Sequence, residues 1–184
     1  MEEKIKYING VIVDSLQFAE TKNAALITFN GAALYVFVEG KEFLPGFVQR
    51  YDLVFSFFLV MAIAISFFAF LPIMNPNPRP SKGEQKILKG LKNNASIFYF
   101  GHIRLFEAKN LLKLIYEVYE EPLPEKFPRN ELGLTSQTIT LSRITWRKYM
   151  FFSIAGHLTL LTLVLPIPFL MVYWGRIILK RLSK

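Results

Sequence analysis

The 184-residue sequence contains no cysteine and only two histidines. Without thiols there is no disulfide framework, no thiolate metal site and no cysteine nucleophile. His102 and His157 make no ligand-spaced cluster with carboxylates, so a metal centre is not expected. No Ser/His/Asp set and no phosphate-cradling glycine loop occurs, and the chain therefore reads as a non-enzyme with no cofactor. The opening MEEKIKYING is too acidic and polar for a secretory leader and has no early apolar stretch. No internal repeat is visible. Acidic residues are the scarcer charge, 14 against 22 basic, for a net charge of +8. In a chain this apolar, that excess points to topology and anionic lipid before nucleic acid. No groove-reading motif or stacking platform accompanies the lysines, so nucleic acid is not expected as a partner.

What is abundant is apolar residue, 52% of the chain with eighteen phenylalanines, which is enough for several membrane helices. Residues 53–74, LVFSFFLVMAIAISFFAFLPIM, run for twenty-two positions without a charge, Asn, Gln or His. As a helix they would extend about 33 Å, sufficient for a hydrocarbon core of about 30 Å. The following Asn75-Pro76-Asn77-Pro78-Arg79-Pro80 cannot continue a helix, because proline lacks the N–H donor and restricts the residue before it. A chain of this length leaves little core in which to bury such a helix, and we read it as transmembrane.

Before it, Ile5, Ile8, Ile12, Leu16 and Ala19 recur at helical spacing, with Gly10 interrupting, so a helix is expected from about Gly10 or Val11. It continues through the apolar residues 24–38 and ends at Glu39-Gly40-Lys41. A first span over about residues 20–38 requires Lys22 to snorkel at the interface. Ala24, Thr28 and Ala32 form a small-residue stripe that allows close approach of another membrane helix, and Asn30 is expected to make an interhelical hydrogen bond. Glu20 and Lys22 lie two apart and diverge on a helix. Either they anchor at the interface, with a neighbouring basic residue for Glu20, or they contact a ligand.

Residues 39–52 carry two basic and three acidic residues, whereas residues 75–150 carry thirteen and seven. The positive-inside bias then makes the long segment cytoplasmic, with the N-terminus inside and the short loop outside. In the cytoplasmic segment Lys82, Lys86 and Lys89 share one helical face opposite Ile87, Leu88, Leu91 and Ala95, the pattern of a helix lying near anionic headgroups. Residues 96–121 read as another helix, closed by Pro122, Pro124 and Pro128. The next begins near Thr135 or Ser136 as N-cap and runs into a third span at 150–175, kinked by Pro166 and Pro168. Trp146 and Tyr149 mark its inner border, Tyr173 and Trp174 its outer one. Arg176, Lys180, Arg181 and Lys184 would then lie outside, against the charge rule, and a re-entrant hairpin with both ends inside is the alternative. His157 is an intramembrane titratable group, either a functional feature or a packed side chain. Arg143 and Arg147 stand one turn apart with Lys148 beside them. Like charges at that spacing repel, so the edge wants an anion, either a lipid phosphate or a nucleotide phosphate.

The fold class expected is thus an all-α membrane protein. About three transmembrane helices are expected, with a helical cytoplasmic segment between the second and third. Residues 1–75 hold the first helix and two spans, 76–149 the cytoplasmic segment, and 150–184 the third span and basic tail.

Three strings carry a family resemblance. FAETKNAALITFNGAAL, residues 18–34, is similar to an "A-D-T-K-A, apolar run, N-G, apolar run" helix, with Glu20 in place of the usual Asp and Asn23 in place of a small residue. Phe100-Gly101-His102-Ile103 resembles "F-F-G-x-I". Ser142-Arg143-Ile144, followed by Arg147-Lys148-Tyr149, resembles "S-x-I-x-x-R-K-Y". In this order they resemble the small transmembrane effectors of Pycsar anti-phage defence. The motif positions are Glu20, Thr21, Lys22, Asn30, Gly31, Gly101, His102 and Tyr149. The resemblance implies a multi-pass protein of the bacterial inner membrane. A cyclic pyrimidine nucleotide, cyclic UMP or cyclic CMP, made by a partner cyclase would act on its cytoplasmic helices. The membrane helices would then rearrange or form a homo-oligomer and impair the membrane. Arg143, Arg147 and Lys148 are the candidate phosphate contacts. The alternative is a constitutive membrane subunit or channel component with no nucleotide ligand.

Because the chain has no cysteine, single cysteines report topology directly. An impermeant thiol reagent on intact cells should label a cysteine at Gly46 and none at Asn94 or Asn130. Labelling at Asn94 would reverse the orientation derived from the basic residues.

Overall fold

The computed structural model describes residues 1–40, 46–71, 82–91 and 95–182. The turn at Pro45, the proline-rich exit at 75–80 and the terminal Lys184 lie outside these, as do the side chains of Lys82, Lys89, Trp174, Arg176, Lys180 and Arg181. The described residues are all-helical, with no strand. The helices are α1 (Glu2–Glu39), α2 (Gly46–Phe68), α3 (Lys82–Leu91), α4 (Phe100–Ile103), α5 (Ala108–Val118), α6 (Arg129–Val164) and α7 (Ile167–Leu182).

They divide into two units: Met1–Thr21 with Leu71–Met150, and Lys22–Phe70 with Phe151–Lys184. The first is built around a hydrophobic core. Ile5, Ile8 and Ile12 of α1 are buried against Leu111, Leu112 and Ile115 of α5 and Ile139 of α6. Helix α1 starts at Glu2, earlier than the expected Gly10. Gly10 is exposed with open space around it, so its weak helix propensity is overridden by the isoleucines packed on either side. Glu2 and Glu3 in the first turn also suit the positive end of the helix dipole.

The single helix expected over 96–121 is two helices, broken after Ile103. Ile103, Leu105 and Phe106 are all buried. A continuous helix would point Leu105 about 200° away from Ile103, so the chain turns to bury all three. Helix α5 ends in a left-handed residue, Glu120, with φ 53°. The Glu121 N–H donates to the Tyr116 carbonyl at 3.0 Å and the Glu120 N–H to that of Glu117 at 3.2 Å, a Schellman closure normally built on glycine. Beside it, Lys4 Nζ pairs with Glu121 at 2.8 Å and holds that carboxyl below the usual range. This tie is present at neutral pH and is lost as pH falls through the lowered pKa.

Helix α6 starts at Arg129 behind Pro128, well before the expected Thr135 cap. The Thr135 hydroxyl turns back to donate to the Glu131 carbonyl at 2.8 Å and caps nothing. Glu131, in the first turn of α6, accepts the buried Tyr116 hydroxyl at 2.9 Å and ties α6 to α5. Burial, then the bond and charge of Glu131, push the Tyr116 phenol above its ordinary pKa. Asn9 Nδ2 donates to Thr138 Oγ1 at 3.0 Å and Asn130 to Glu2 at 2.6 Å, so α1 and α6 run parallel within this unit.

The second unit reverses the pattern. Its buried side chains include Asn30, Ser66, Thr159 and Thr162, while Leu53 is 83% and Met171 72% exposed, with Phe29, Phe57, Phe67 and Leu160 also outward. In α2 the buried positions are Phe55, Leu59, Ala62 and Ser66, a narrow seam on a helix otherwise apolar on every side. Within this unit Thr159 Oγ1 lies 2.9 Å from Asn30 Oδ1, and the Lys22 ammonium 5.4 Å from the centre of the Phe152 ring. The two pairs ascend together, so the α1 and α6 portions here are also parallel. Phe37 meets Phe55 of α2 with ring centres 5.8 Å apart. Pro166 ends α6, and α7 begins after a turn at Leu165 and Pro166, so the expected kink is a break. By length and composition one described helix, Tyr51–Phe68, qualifies to cross a membrane.

Replacing buried Leu112 by Ala should destabilise the full chain by about 2–5 kcal/mol through the cavity it leaves. Glu120→Gly should stabilise it by roughly 1 kcal/mol, because glycine alone takes the left-handed conformation freely. Thermal unfolding in detergent checks both, and a Glu120→Gly variant that melts lower would contradict the Schellman assignment.

Candidate functional site

The α6 residues singled out for phosphate contact belong to the first unit, but they do not converge on one cradle. Arg143 Nε donates to the backbone carbonyl of Arg104 at 3.1 Å. Lys148 Nζ donates to Glu20 Oε1 of α1 at 2.5 Å, with the Lys148 side chain 11% exposed. Arg147 is half-buried on the same face as Arg143, one turn on. Glu20 thus has its basic neighbour on another helix.

Around Arg143 the structure adds groups that the sequence did not single out. Arg104, immediately after α4, directs Nη1 to Glu84 Oε1 of α3 at 2.5 Å, and its guanidinium carbon lies 4.3 Å above the centre of the Trp146 ring. Phe100 stacks on Tyr149 with centres 5.0 Å apart and planes within 8°, and lies 6.4 Å from Trp146. The result is a cluster of two guanidiniums, one carboxylate and three aromatic rings. Burial, foremost, and the Arg104 charge lower the Arg143 pKa, with Glu84 opposing them. The guanidinium stays charged at neutral pH. Glu84 is the one acidic residue in the first turn of a basic helix, and Arg104 directly follows the glycine motif. Those were the only sequence hints of either.

The remaining motif residues other than Gly31 have structural partners. Gly101 is buried under the Tyr99 ring, and a Cβ there would fall inside van der Waals contact with it. His102 Nδ1 accepts the Ser96 N–H at 3.0 Å, and its ring meets the edge of Tyr99 at 4.9 Å. Thr21 Oγ1 donates to the Gln17 carbonyl at 3.0 Å. In the second unit, Asn30 meets Thr159, Gly31 is exposed, and His157 Nδ1 lies 2.6 Å from the Ser153 carbonyl of its own helix.

Residues 4–175 match the family model described as the Pycsar effector protein domain. The chain belongs to the Pycsar effector family. No curated protein and no solved structure matches it. Membership makes it a downstream effector of an anti-phage cyclic-nucleotide system, as distinct from the cyclase. With the apolar helix Tyr51–Phe68, membership also makes it a membrane protein. Within this Pycsar effector, all three motif strings fall inside the matched range.

The Glu20–Lys148 pair generates a charge-swap test. Lys148→Glu alone should lower the melting temperature, because it sets two carboxylates against each other across α1 and α6. Glu20→Lys combined with Lys148→Glu should restore most of the loss. A double variant no better than the single one would mean that the pair contributes nothing.

Proposed function

We propose that this effector spans the bacterial inner membrane three times, with the N-terminus and central segment cytoplasmic. It impairs that membrane when a cyclic pyrimidine nucleotide from its partner cyclase binds the cytoplasmic helices. The observation that carries this reading is the inversion between the two units. Aliphatic and aromatic side chains cover the outside of the second unit and Asn, Ser and Thr lie within it, as suits a bundle solvated by lipid. The first unit instead gathers Ile5, Ile8, Ile12, Leu111, Leu112 and Ile115 into a common aliphatic core, which suits water. The parallel run of the α1 and α6 portions in the second unit also supports three spans. Two helices entering from the cytoplasm with α2 returning between them would produce it.

A homo-oligomer fits the same surface. Ala24, Thr28, Gly31 and Ala32 are exposed on this chain, which leaves a small-residue face of α1 for a second copy. The ligand phosphate is assigned to the basic edge of α6 at Arg143, Arg147 and Lys148. Activation requires the nucleotide to bind the membrane-impairing state more tightly than the resting one.

Purified protein should bind cyclic UMP or cyclic CMP better than cyclic AMP. Arg147→Glu should weaken that binding ten- to over a hundredfold, since a charge-assisted contact is worth roughly 1.5–3 kcal/mol. Membrane insertion should survive, because it depends on the apolar helices. In cells, co-expression with a matching cyclase should collapse the membrane potential for the unmodified chain and not for the variant. Leakage without any cyclase would favour the constitutive membrane subunit instead.

A further inference from the structure

Arg104 carries more binding capacity than the structure uses. Its side chain is 15% exposed, clamped between the Glu84 carboxylate and the Trp146 ring. Its Nε is buried with no hydrogen-bond partner. A buried N–H without a partner is costly, and guanidinium is a fork suited to two oxygens of one anion. The second cation, Arg143, is anchored on the Arg104 carbonyl, so the cluster holds two positive charges against one carboxylate.

We infer that Arg104, supported by Trp146 and Arg143, receives the phosphate of the bound ligand, and that the Glu84 carboxylate stands in its place in the resting protein. This rests on the nucleotide reading above and moves the principal contact inward from the edge of α6. The exchange is balanced in charge. A cyclic nucleotide phosphodiester and a carboxylate each carry one negative charge. The two non-bridging oxygens reach the unused Nε and the Nη2 whose N–H lies parallel to it, and the phosphate takes over from Glu84 the neutralisation of the guanidinium. The aromatic faces of Phe100, Trp146 and Tyr149 beside the fork suit a pyrimidine ring, since bases stack on aromatic side chains without needing a groove.

The stand-in also couples the site to α3. Glu84 ties that helix to Arg104, while Leu88 packs on the hydrophobic core and Ile87 is 52% exposed. Displacing Glu84 leaves a short amphipathic helix held chiefly by its apolar side. Such a helix is suited to leave for an anionic surface.

The test uses full-length protein in neutral-lipid nanodiscs, with Trp174→Phe so that Trp146 is the only indole. Cyclic CMP, cyclic UMP, cyclic AMP and inorganic phosphate are titrated by calorimetry and Trp146 emission. Glu84→Gln removes the competing charge at nearly constant shape and should tighten cyclic pyrimidine nucleotide binding about tenfold. Arg104→Lys keeps the charge, loses the fork and should weaken binding by a similar factor. Arg104→Gln should abolish it along with the emission change. If nucleotide binds with unchanged affinity in Glu84→Gln and Arg104→Lys, the inference is wrong while the nucleotide reading stands. If inorganic phosphate alone binds, tightened by Glu84→Gln and lost in Arg104→Gln, the phosphate site stands and the nucleotide reading falls. A Trp146 response to anionic lipid without nucleotide, lost in Arg104→Gln, would hand the site to a headgroup and overturn the stand-in for a soluble ligand. Absence of any anion binding to either the unmodified chain or Glu84→Gln would overturn both.

Discussion

A polar side chain buried between two helices fixes how they can slide, and this protein applies that constraint in both units. Asn9 meets Thr138 and Asn30 meets Thr159, each pair 129 residues apart in sequence. On α1 the positions 9, 16, 23, 30 and 37 recur every seven residues, and three of them are asparagine. A buried asparagine in a heptad seam specifies register at some cost in stability, because any slip leaves its amide without a partner. The hydroxyls opposite are well suited to that role. Thr138 bonds back to the Leu134 carbonyl, so its oxygen remains available to accept from Asn9, whereas the Thr159 hydroxyl donates to the Asn30 Oδ1. The register then decides the chemistry of the first unit. With Thr138 opposite Asn9, Lys148 is presented to Glu20, and Arg143 and Trp146 face the turn after α4 that carries Arg104.

The difference in core chemistry between the units fits the two solvents proposed for them. In the first, isoleucine and leucine from α1, α5 and α6 leave water for a common core, at about 1.5–3 kcal/mol for each side chain fully buried. In the second, lipid would supply no such incentive, and association must come from close packing and hydrogen bonds. Small and polar residues make up much of its interior, Ala62, Ala155, Ser66, Thr159 and Asn30, beside Phe55 and Leu59. Helices α1 and α6 contribute to both units, and their sequences change accordingly. The buried positions of α1 pass from Ile5, Ile8 and Ile12 to Asn23 and Asn30.

The sequence made the helical class legible, as well as the long apolar helix and the family, because those signals are local: twenty-two uninterrupted residues and three short strings. Boundaries were less legible where tertiary contacts overrode propensity. Gly10 did not stop α1 once Ile8 and Ile12 were buried around it, and Thr135 did not cap α6 because Pro128 had already started it. The break after Ile103 was hidden because no proline interrupts residues 96–121, whereas the burial of Leu105 is what rules out one helix. Of the site, the cations of α6 could be read from their spacing. Arg104 and Glu84 could not, since twenty residues separate them and only the fold makes them partners.

The electrostatics of the first unit bear on how a membrane effector stays silent. Glu84 neutralises Arg104 and Glu20 neutralises Lys148, so at least two of its cations already hold counter-ions from the chain itself. On the inference above, a ligand anion would enter in competition with a carboxylate tethered beside the same guanidinium. A tethered group has a high effective concentration, so the apparent affinity falls by the fraction of molecules in which that carboxylate is swung away. This raises the ligand concentration at which half the molecules respond, without altering the contacts finally made. On the function proposed above, in which activation impairs the membrane, such a threshold would separate resting traces of a signal from the burst made by an active cyclase. The same pairing explains why a cluster so rich in positive charge can lie partly buried in the resting chain. Each internal carboxylate lowers the cost of holding its cation away from water.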